Sequence, residues 1–394
     1  MATANPFIYG EIVAAGAFAD RDEEYHRLTT DLAAGQKIFL ISPRRYGKSS
    51  LIRRALDSLA KERVITVSVT VAGSSSYIGF LENYARALIA AETPAGRLRQ
   101  WAAELMRTVR PEISVDAGGP DRLGVPSVSL SFPSVRTARD AGRLAAEVFA
   151  LPGRIAAARK RPMAIALDEF QTIASFDATS PGGAPGRGVE DALRAAVQQQ
   201  RDVGYVFAGS EPSLMDRMIS PRRPFYKAGP VMRLQKIAPD EFADWLDARF
   251  AKTGLKPEDG LGAAIVDLAD NVPYDVQRLA HETWDDARAA GKKSVGVEDL
   301  HGTLSRILRQ QGIMFEETWQ RLTLAQRGVL RALVLEQGEE LLSAGVRQRH
   351  RLAGASSVQS SLAALVREDI VMRDGTKYML TDSLYREWIA RKTF

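Results

Sequence analysis

The chain is 394 residues long, 45% hydrophobic and 26% charged, which excludes a largely disordered polypeptide; one core rarely grows past about 250–300 residues, so two or three domains are predicted. The absence of cysteine excludes a disulfide framework, a thiolate nucleophile and a cysteine zinc site, and four scattered histidines (His26, His281, His301, His350) argue against a histidine-built metal cage. The net charge of +5 permits contact with nucleic acid without requiring it; twelve cations face eight anions from Arg321 onward, so most of the excess sits in the last fifth of the chain.

The first residues, MATANPFIYGEIV, lack the basic-then-apolar pattern of a leader, and no apolar run approaches the roughly 18 residues of a membrane helix. A soluble cytoplasmic protein with no membrane contact is expected. Apolar residues at helical spacing (Tyr25, Leu28, Leu32) predict a helix from Asp22 to about Ala34, ended by Gly35. Lys37–Ile41 reads as a strand buried on both faces, followed by a loop and a helix from Ser49 to about Glu62. A strand at Val64–Val71 and a helix at Tyr77–Ala91 come next. Alternation at Val128–Phe132 and the string Gly118-Gly119-Pro120 predict a hairpin-type insertion within 110–135. The helical stretch from about Thr137 to Lys160 is expected to break near Pro152-Gly153. A strand at Met163–Leu167, a mobile Gly/Pro/Ser-rich loop at Asp177–Gly188, a helix at Val189–Arg201 and a strand at Tyr205–Ala208 follow. Such alternation implies right-handed crossovers, an α/β parallel sheet and a ligand at the carboxyl ends of its strands.

From Pro239 the pattern is all-helical: Asp240–Lys252, Leu261–Ala269, Pro273–Ala290 and Val297–Arg309. From Thr323, three short helices precede Ile370–Met372, a turn at Asp374-Gly375 and Tyr378–Leu380. Three helices and a two-stranded wing describe a winged helix.

Directly after the strand at 37–41 stands Ser42-Pro43-Arg44-Arg45-Tyr46-Gly47-Lys48-Ser49-Ser50. A P-loop reads G-x-x-x-x-G-K-[ST] between a buried strand and a helix, so that backbone N–H groups and the helix terminus wrap phosphates. Lys48 would reach the β and γ phosphates, and the Ser49 hydroxyl would hold Mg²⁺. Ser42 replaces the first glycine; a serine in a left-handed turn costs on the order of 1 kcal/mol, so the loop either carries that strain or uses a variant turn. The strand Ala164–Leu167 runs into Asp168-Glu169, two adjacent acids that are costly to bury unless a cation neutralises them. Asp168 would bind Mg²⁺ through its water shell and Glu169 would polarise the attacking water. Ser210, at the end of the strand at 205–208, would touch the γ-phosphate or the water, or is a plain turn serine. Arg222 and Arg223 would serve a neighbouring subunit as phosphoryl-stabilising cations, or are loop arginines.

In order, Asn5-Pro6-Phe7, Phe18-Ala19-Asp20-Arg21-Asp22-Glu23-Glu24, Ser42–Ser50, Leu167-Asp168-Glu169-Phe170-Gln171, Phe207-Ala208-Gly209-Ser210, Pro224-Phe225-Tyr226, Pro273-Tyr274-Asp275-Val276-Gln277 and Asp382–Trp388 form a series. That series resembles the archaeal-type ATPase family of prokaryotes, in the STAND branch of AAA+ P-loop ATPases and related in plan to Orc/Cdc6-type initiators. The resemblance implies a P-loop ATPase core (1–236), an all-helical lid (237–310) and a C-terminal winged helix (311–394), with ATP and Mg²⁺ as cofactors. It implies that Phe18 and Arg21 frame the adenine and that Pro273 approaches the base from the lid. Relatives often carry a glycine where this chain has Asn271. Arg278 is a candidate sensor or a solvent-facing arginine, and His281 reads as packing or surface.

A helix at Ser356–Glu368 would be the recognition helix, offering Ser356, Ser357, Gln359 and Ser360, with Arg347, Arg349, Arg351, Arg373 and Lys377 nearby. Those cations would grip duplex DNA, or the module packs as a latch or a protein-docking surface. Two functions are thus expected from different classes: a slow nucleotide-driven switch acting on a protein partner or on homo-oligomers, and an ATP-regulated DNA-binding protein. A small-molecule kinase is disfavoured because no acceptor pocket is evident.

Overall fold

The computed structural model of the chain describes residues 4–12, 18–91, 112–116, 127–132, 137–176 and 187–393. It divides into two compact units, Arg21–Gln235 and a second made of Met1–Asp20 with Lys236–Phe394.

The first unit runs α1 (Asp22–Ala33), β1 (Lys37–Ile41), α2 (Lys48–Lys61), β2 (Ile65–Thr70), α3 (Tyr77–Ala90) and an antiparallel pair, β3 (Glu112–Asp116) with β4 (Ser127–Ser131). It continues through α4 (Ala138–Arg159), β5 (Met163–Asp168), α5 (Arg187–Gln199), β6 (Val203–Gly209), α6 (Pro212–Met218) and β7 (Val231–Arg233). Five strands make one parallel sheet in the order β2-β5-β6-β1-β7. The interior strands are nearly continuous apolar runs because helices cover both faces of a parallel sheet, whereas the edge strand β2 alternates buried and accessible residues. Phe207 anchors the core, its ring 5.0 Å from Phe39 and 5.1 Å from Phe225. The register sets Ile41 beside Gly209 and Thr70 beside Asp168, so the carboxyl ends of the strands share one edge of the sheet.

One expectation changes here. Helix α4 does not break: Pro152 lies inside it, and Val148, Leu151 and Ile155, all fully buried, hold the helix over a defect that costs about 3 kcal/mol. Helix α6 and strand β7 were not foreseen; β7 has only three residues, with Met232 alone buried. The expected mobile loop at 177–188 lies outside the described residues up to 186, as does most of the expected insertion.

The second unit comprises α7 (Pro239–Lys252), β8 (Lys256–Pro257), α8 (Leu261–Leu268), α9 (Pro273–Ala289), β9 (Ser294–Val295) and α10 (Val297–Arg321). Then follow α11 (Leu324–Leu335), α12 (Ala344–Arg349), α13 (Ala355–Arg367), the hairpin β10 (Val371–Asp374) with β11 (Lys377–Leu380), and α14 (Ser383–Thr393). A two-residue parallel pairing of β8 with β9 interrupts the expected all-helical stretch. Helix α10 passes the expected end at Arg309, because Phe315 and Trp319 extend the buried stripe of Leu300, Leu304, Ile307 and Leu308 across Gly312. The boundary expected at 310/311 therefore falls inside a continuous helix.

Residues 4–12 belong to this unit rather than to the sheet. Phe7 is fully buried, its ring 4.6 Å from Phe250 and 6.2 Å from Trp245. Arg249 donates to the Pro6 carbonyl (3.0 Å), His281 Nδ1 to the Phe7 carbonyl (2.7 Å), and Tyr9 Oη to Glu282 (2.8 Å). At the other end, the buried Asp275 of α9 accepts from Ser383 Oγ (2.9 Å) and from its backbone N–H (3.3 Å), and Arg386 pairs with Asp270 and Glu387. These bonds join α14 to α9 and to the turn that follows α8.

Candidate active site

The site is built where β1, β5 and β6 end. Gly47 caps α2 at φ 85° and ψ 11°, a left-handed conformation that glycine adopts without penalty. Arg45 is left-handed as well, at φ 69°. Ser42 is not: its N–H donates to the Gly209 carbonyl (3.2 Å) and its side chain is buried. The loop thus uses a variant turn, with the left-handed positions at Arg45 and Gly47 and no strain at Ser42. Tyr46 and Ser50 are buried, Pro43 is half-buried, and Arg44 and Arg45 are exposed.

Five expected residues converge. Lys48, at the start of α2, is only 6% exposed, and its ammonium pairs with Asp168 and lies 3.4 Å from Glu169 Oε1. Ser49 Oγ donates to Asp168 Oδ2 at 2.7 Å. Glu169 follows β5 in a left-handed conformation (φ 54°), a costly position for a non-glycine residue, which turns its carboxylate back toward the strand ends. Ser210 Oγ donates to Glu169 Oε2 at 2.6 Å. Burial would raise the Glu169 carboxyl, but the Ser210 hydrogen bond, the Lys48 charge and a hydrogen bond from Gln171 together hold it below the ordinary carboxylate value.

Gln171 had no role assigned from the sequence. It is buried, and its Nε2 donates to Glu169 Oε2 at 2.6 Å. The available signal was a polar side chain held between Phe170 and Ile173, both fully buried, immediately after the acidic pair.

The donor set fits a phosphate and a small divalent cation. A hydroxyl and a carboxylate oxygen, the hard ligands that Mg²⁺ takes, already touch one another at Ser49 and Asp168. Among the described residues no group of three or more Asp, Glu or His side chains could hold a metal ion, so such a cation would need phosphate oxygens and water to complete its shell.

The remaining expected residues are placed elsewhere. Arg21 is buried at φ 74°, with its guanidinium donating to Glu24 (2.9 Å) and to the Gln235 carbonyl. It ties the start of α1 to the end of the first unit. Phe18 and Pro273, the first residue of α9, belong to the second unit. Asn271 is left-handed (φ 52°), a conformation that asparagine tolerates better than most non-glycine residues, and donates to the Ile237 carbonyl at 2.7 Å. Arg223 pairs with the fully buried Glu190, a packing role, whereas Arg222 is exposed at φ 72°. Arg278 is half-buried on α9, and His281 holds the N-terminal segment.

Residues 313–391 match the model of a family described as a probable winged helix domain. The Walker-type ATPase of Pyrococcus abyssi is similar in structure, with a TM-score of 0.60 at 16% identity over 95% of this chain and 97% of its own. The ORC2 protein of Aeropyrum pernix, solved as ADPNP and ADP complexes, gives a TM-score of 0.51 at 14% identity over 98% and 96%. No curated protein sequence matches. At these identities the likeness is one of fold: a parallel-sheet core of the kind seen in Walker-type ATPases, followed by helices and a C-terminal winged helix.

Proposed function

We propose that the chain binds ATP, hydrolyses it with Mg²⁺, and acts as a nucleotide-dependent switch. The observation that carries this reading is the meeting of Lys48, Ser49, Asp168, Glu169 and Ser210 at one edge of a parallel sheet. Backbone N–H groups at the start of α2 would cradle the phosphates. Lys48 would exchange its carboxylates for β- and γ-phosphate oxygens, and Ser49 and Asp168 would then hold Mg²⁺. Bound there, the cation would neutralise charge on the transferring phosphoryl group. Glu169 would orient a water and take its proton as the water oxygen bonds to phosphorus and the bond to ADP breaks.

In this reading Pro43–Ser50 form the phosphate loop and Arg21 lies toward the adenine end of the first unit, and core, lid and winged helix follow one another along the chain (to 236, 237–310, 311–394), with the N-terminal segment seated in the second unit instead of the core. The same strings support membership of the archaeal-type ATPase family in the STAND branch, with an output through a protein partner or homo-oligomer, and the cysteine-free composition fits a cytoplasmic setting. Among the described residues no helix is long and apolar enough to cross a membrane.

Lys48→Ala should weaken ATP binding at least a hundredfold, because it deletes the charge at the phosphate cradle. Glu169→Gln should bind ATP within a few-fold of the wild type and lose nearly all turnover. Equilibrium binding of a fluorescent ATP analogue and steady-state phosphate release measure both; wild-type hydrolysis by Glu169→Gln overturns the assignment of the base.

A second reading, ATP-regulated DNA binding, is favoured by the matched winged helix, whose helix α13 exposes Ser356, Gln359 and Ser360. Two of the expected cations are spoken for by acids, Arg349 by Glu336 and Lys377 by Glu339. Exposed pairs of this kind are weak, so phosphates could displace them. Duplex binding that falls steeply with salt and changes with nucleotide would support this reading, and its absence at low salt would remove it.

A further inference from the structure

We infer that Gln171 is a positioning residue for Glu169, fixing which carboxylate oxygen is left to meet a water. The inference rests on the reading of Glu169 as the base. Gln171 lies two residues beyond it, in the 3-10 helix Phe170–Ser175. Its side chain is only 4% exposed, and a buried amide is costly unless it is hydrogen-bonded. Nε2 donates to Glu169 Oε2 at 2.6 Å and lies 3.4 Å from Ser210 Oγ, whereas Oε1 is buried without a partner. The amide therefore gives up its own carbonyl bond to hold one carboxylate oxygen.

The slot that receives the amide exists because residue 209 is glycine. A Cβ at Gly209 would stand 2.8 Å from Gln171 Oε1 and 2.4 Å from Met215 Sδ. Ser210 approaches the same carboxylate oxygen at 2.6 Å. Two donors on Oε2 fix the plane of the carboxylate, which a single serine would leave free to turn. Oε1 remains, 3.4 Å from Lys48 Nζ, on the side where phosphates would lie. Gln171 thus acts through Glu169 and touches no reacting atom.

Gln171→Met fills the same slot without a donor. Its kcat should fall about tenfold or more. The KM for ATP, the equilibrium affinity for ATP measured without turnover, and the thermal midpoint should stay near wild type. In the double variant with Glu169→Gln, the second substitution should cost nothing further, because the group it positions is gone. An unchanged kcat, a rise in KM matching the fall in kcat, or additive losses in the double variant would each overturn the inference. If Gln171→Met melts early, Gln171→Leu repeats the measurement with a different apolar shape. Glu169→Gln alone separates the two claims: full activity there refutes the base, whereas an inactive Glu169→Gln beside a wild-type Gln171→Met refutes only the positioning role.

Discussion

Glu282 shows how a single side chain records its surroundings. Burial pushes its carboxyl up, but hydrogen bonds from Arg306 and Tyr9 and the nearby Arg306 and Arg278 charges outweigh this and leave it below its ordinary value of 4.5. A carboxyl held low in the folded state binds protons more readily when unfolded. Its stabilisation is therefore complete above the ordinary value and is lost as pH falls through the lower folded value. Urea unfolding followed from pH ~7 to ~3 should show that loss in the wild type and a flatter profile in Glu282→Gln. Equal slopes would show that Arg306 and Tyr9 do not favour the charged form. Residue chemistry of this kind was only partly legible beforehand. Lys48 and Ser49 announced themselves through the phosphate-loop pattern, and Asp168 and Glu169 because two adjacent acids at a strand end need a cation. Gln171 did not, since a lone amide in an apolar stretch looks the same whether it packs a turn or holds a base.

At the scale of elements, periodicity located nearly every helix and strand of the first unit, because a strand buried on both faces leaves an unbroken apolar run. Where it failed, tertiary packing overrode the local signal. Helix α4 ignores Pro152 because three neighbouring side chains are buried, and α10 ignores Gly312 because Phe315 and Trp319 prolong its stripe. The N-terminal segment was misplaced for the opposite reason: nothing within Asn5-Pro6-Phe7 states which unit its phenylalanine enters. Its contribution is testable. Phe7→Ala removes a fully buried ring from the second unit and should destabilise that unit by about 3–5 kcal/mol. Denaturant unfolding read from the tryptophans, four of which (Trp245, Trp284, Trp319 and Trp388) lie in the second unit, should report it. A loss below about 1 kcal/mol would mean that the segment is only loosely seated.

On the scale of the whole molecule, the chain closes two separate cores, one around a five-stranded sheet and one around helices and a wing. The second contains both the expected lid and the winged helix, joined by Asp275 with Ser383 and by Asp270 with Arg386. Where its boundary fell could not be read from the sequence, since α10 carries one uninterrupted helical pattern across it. The pairing of Lys48 with Asp168 has a further consequence in the first core. On the proposed reading, while the lysine neutralises that acid, the anion cradle and the cation ligand satisfy each other. Drawing the lysine onto a polyphosphate liberates the aspartate, so triphosphate and divalent ion should each improve the other's affinity, by equal factors. Titrating ATP with and without Mg²⁺ should reveal this mutual enhancement, and Asp168→Asn should erase most of it. On the proposed reading, a resting lysine–aspartate pair would serve as a built-in placeholder, keeping either guest weakly held until its companion arrives.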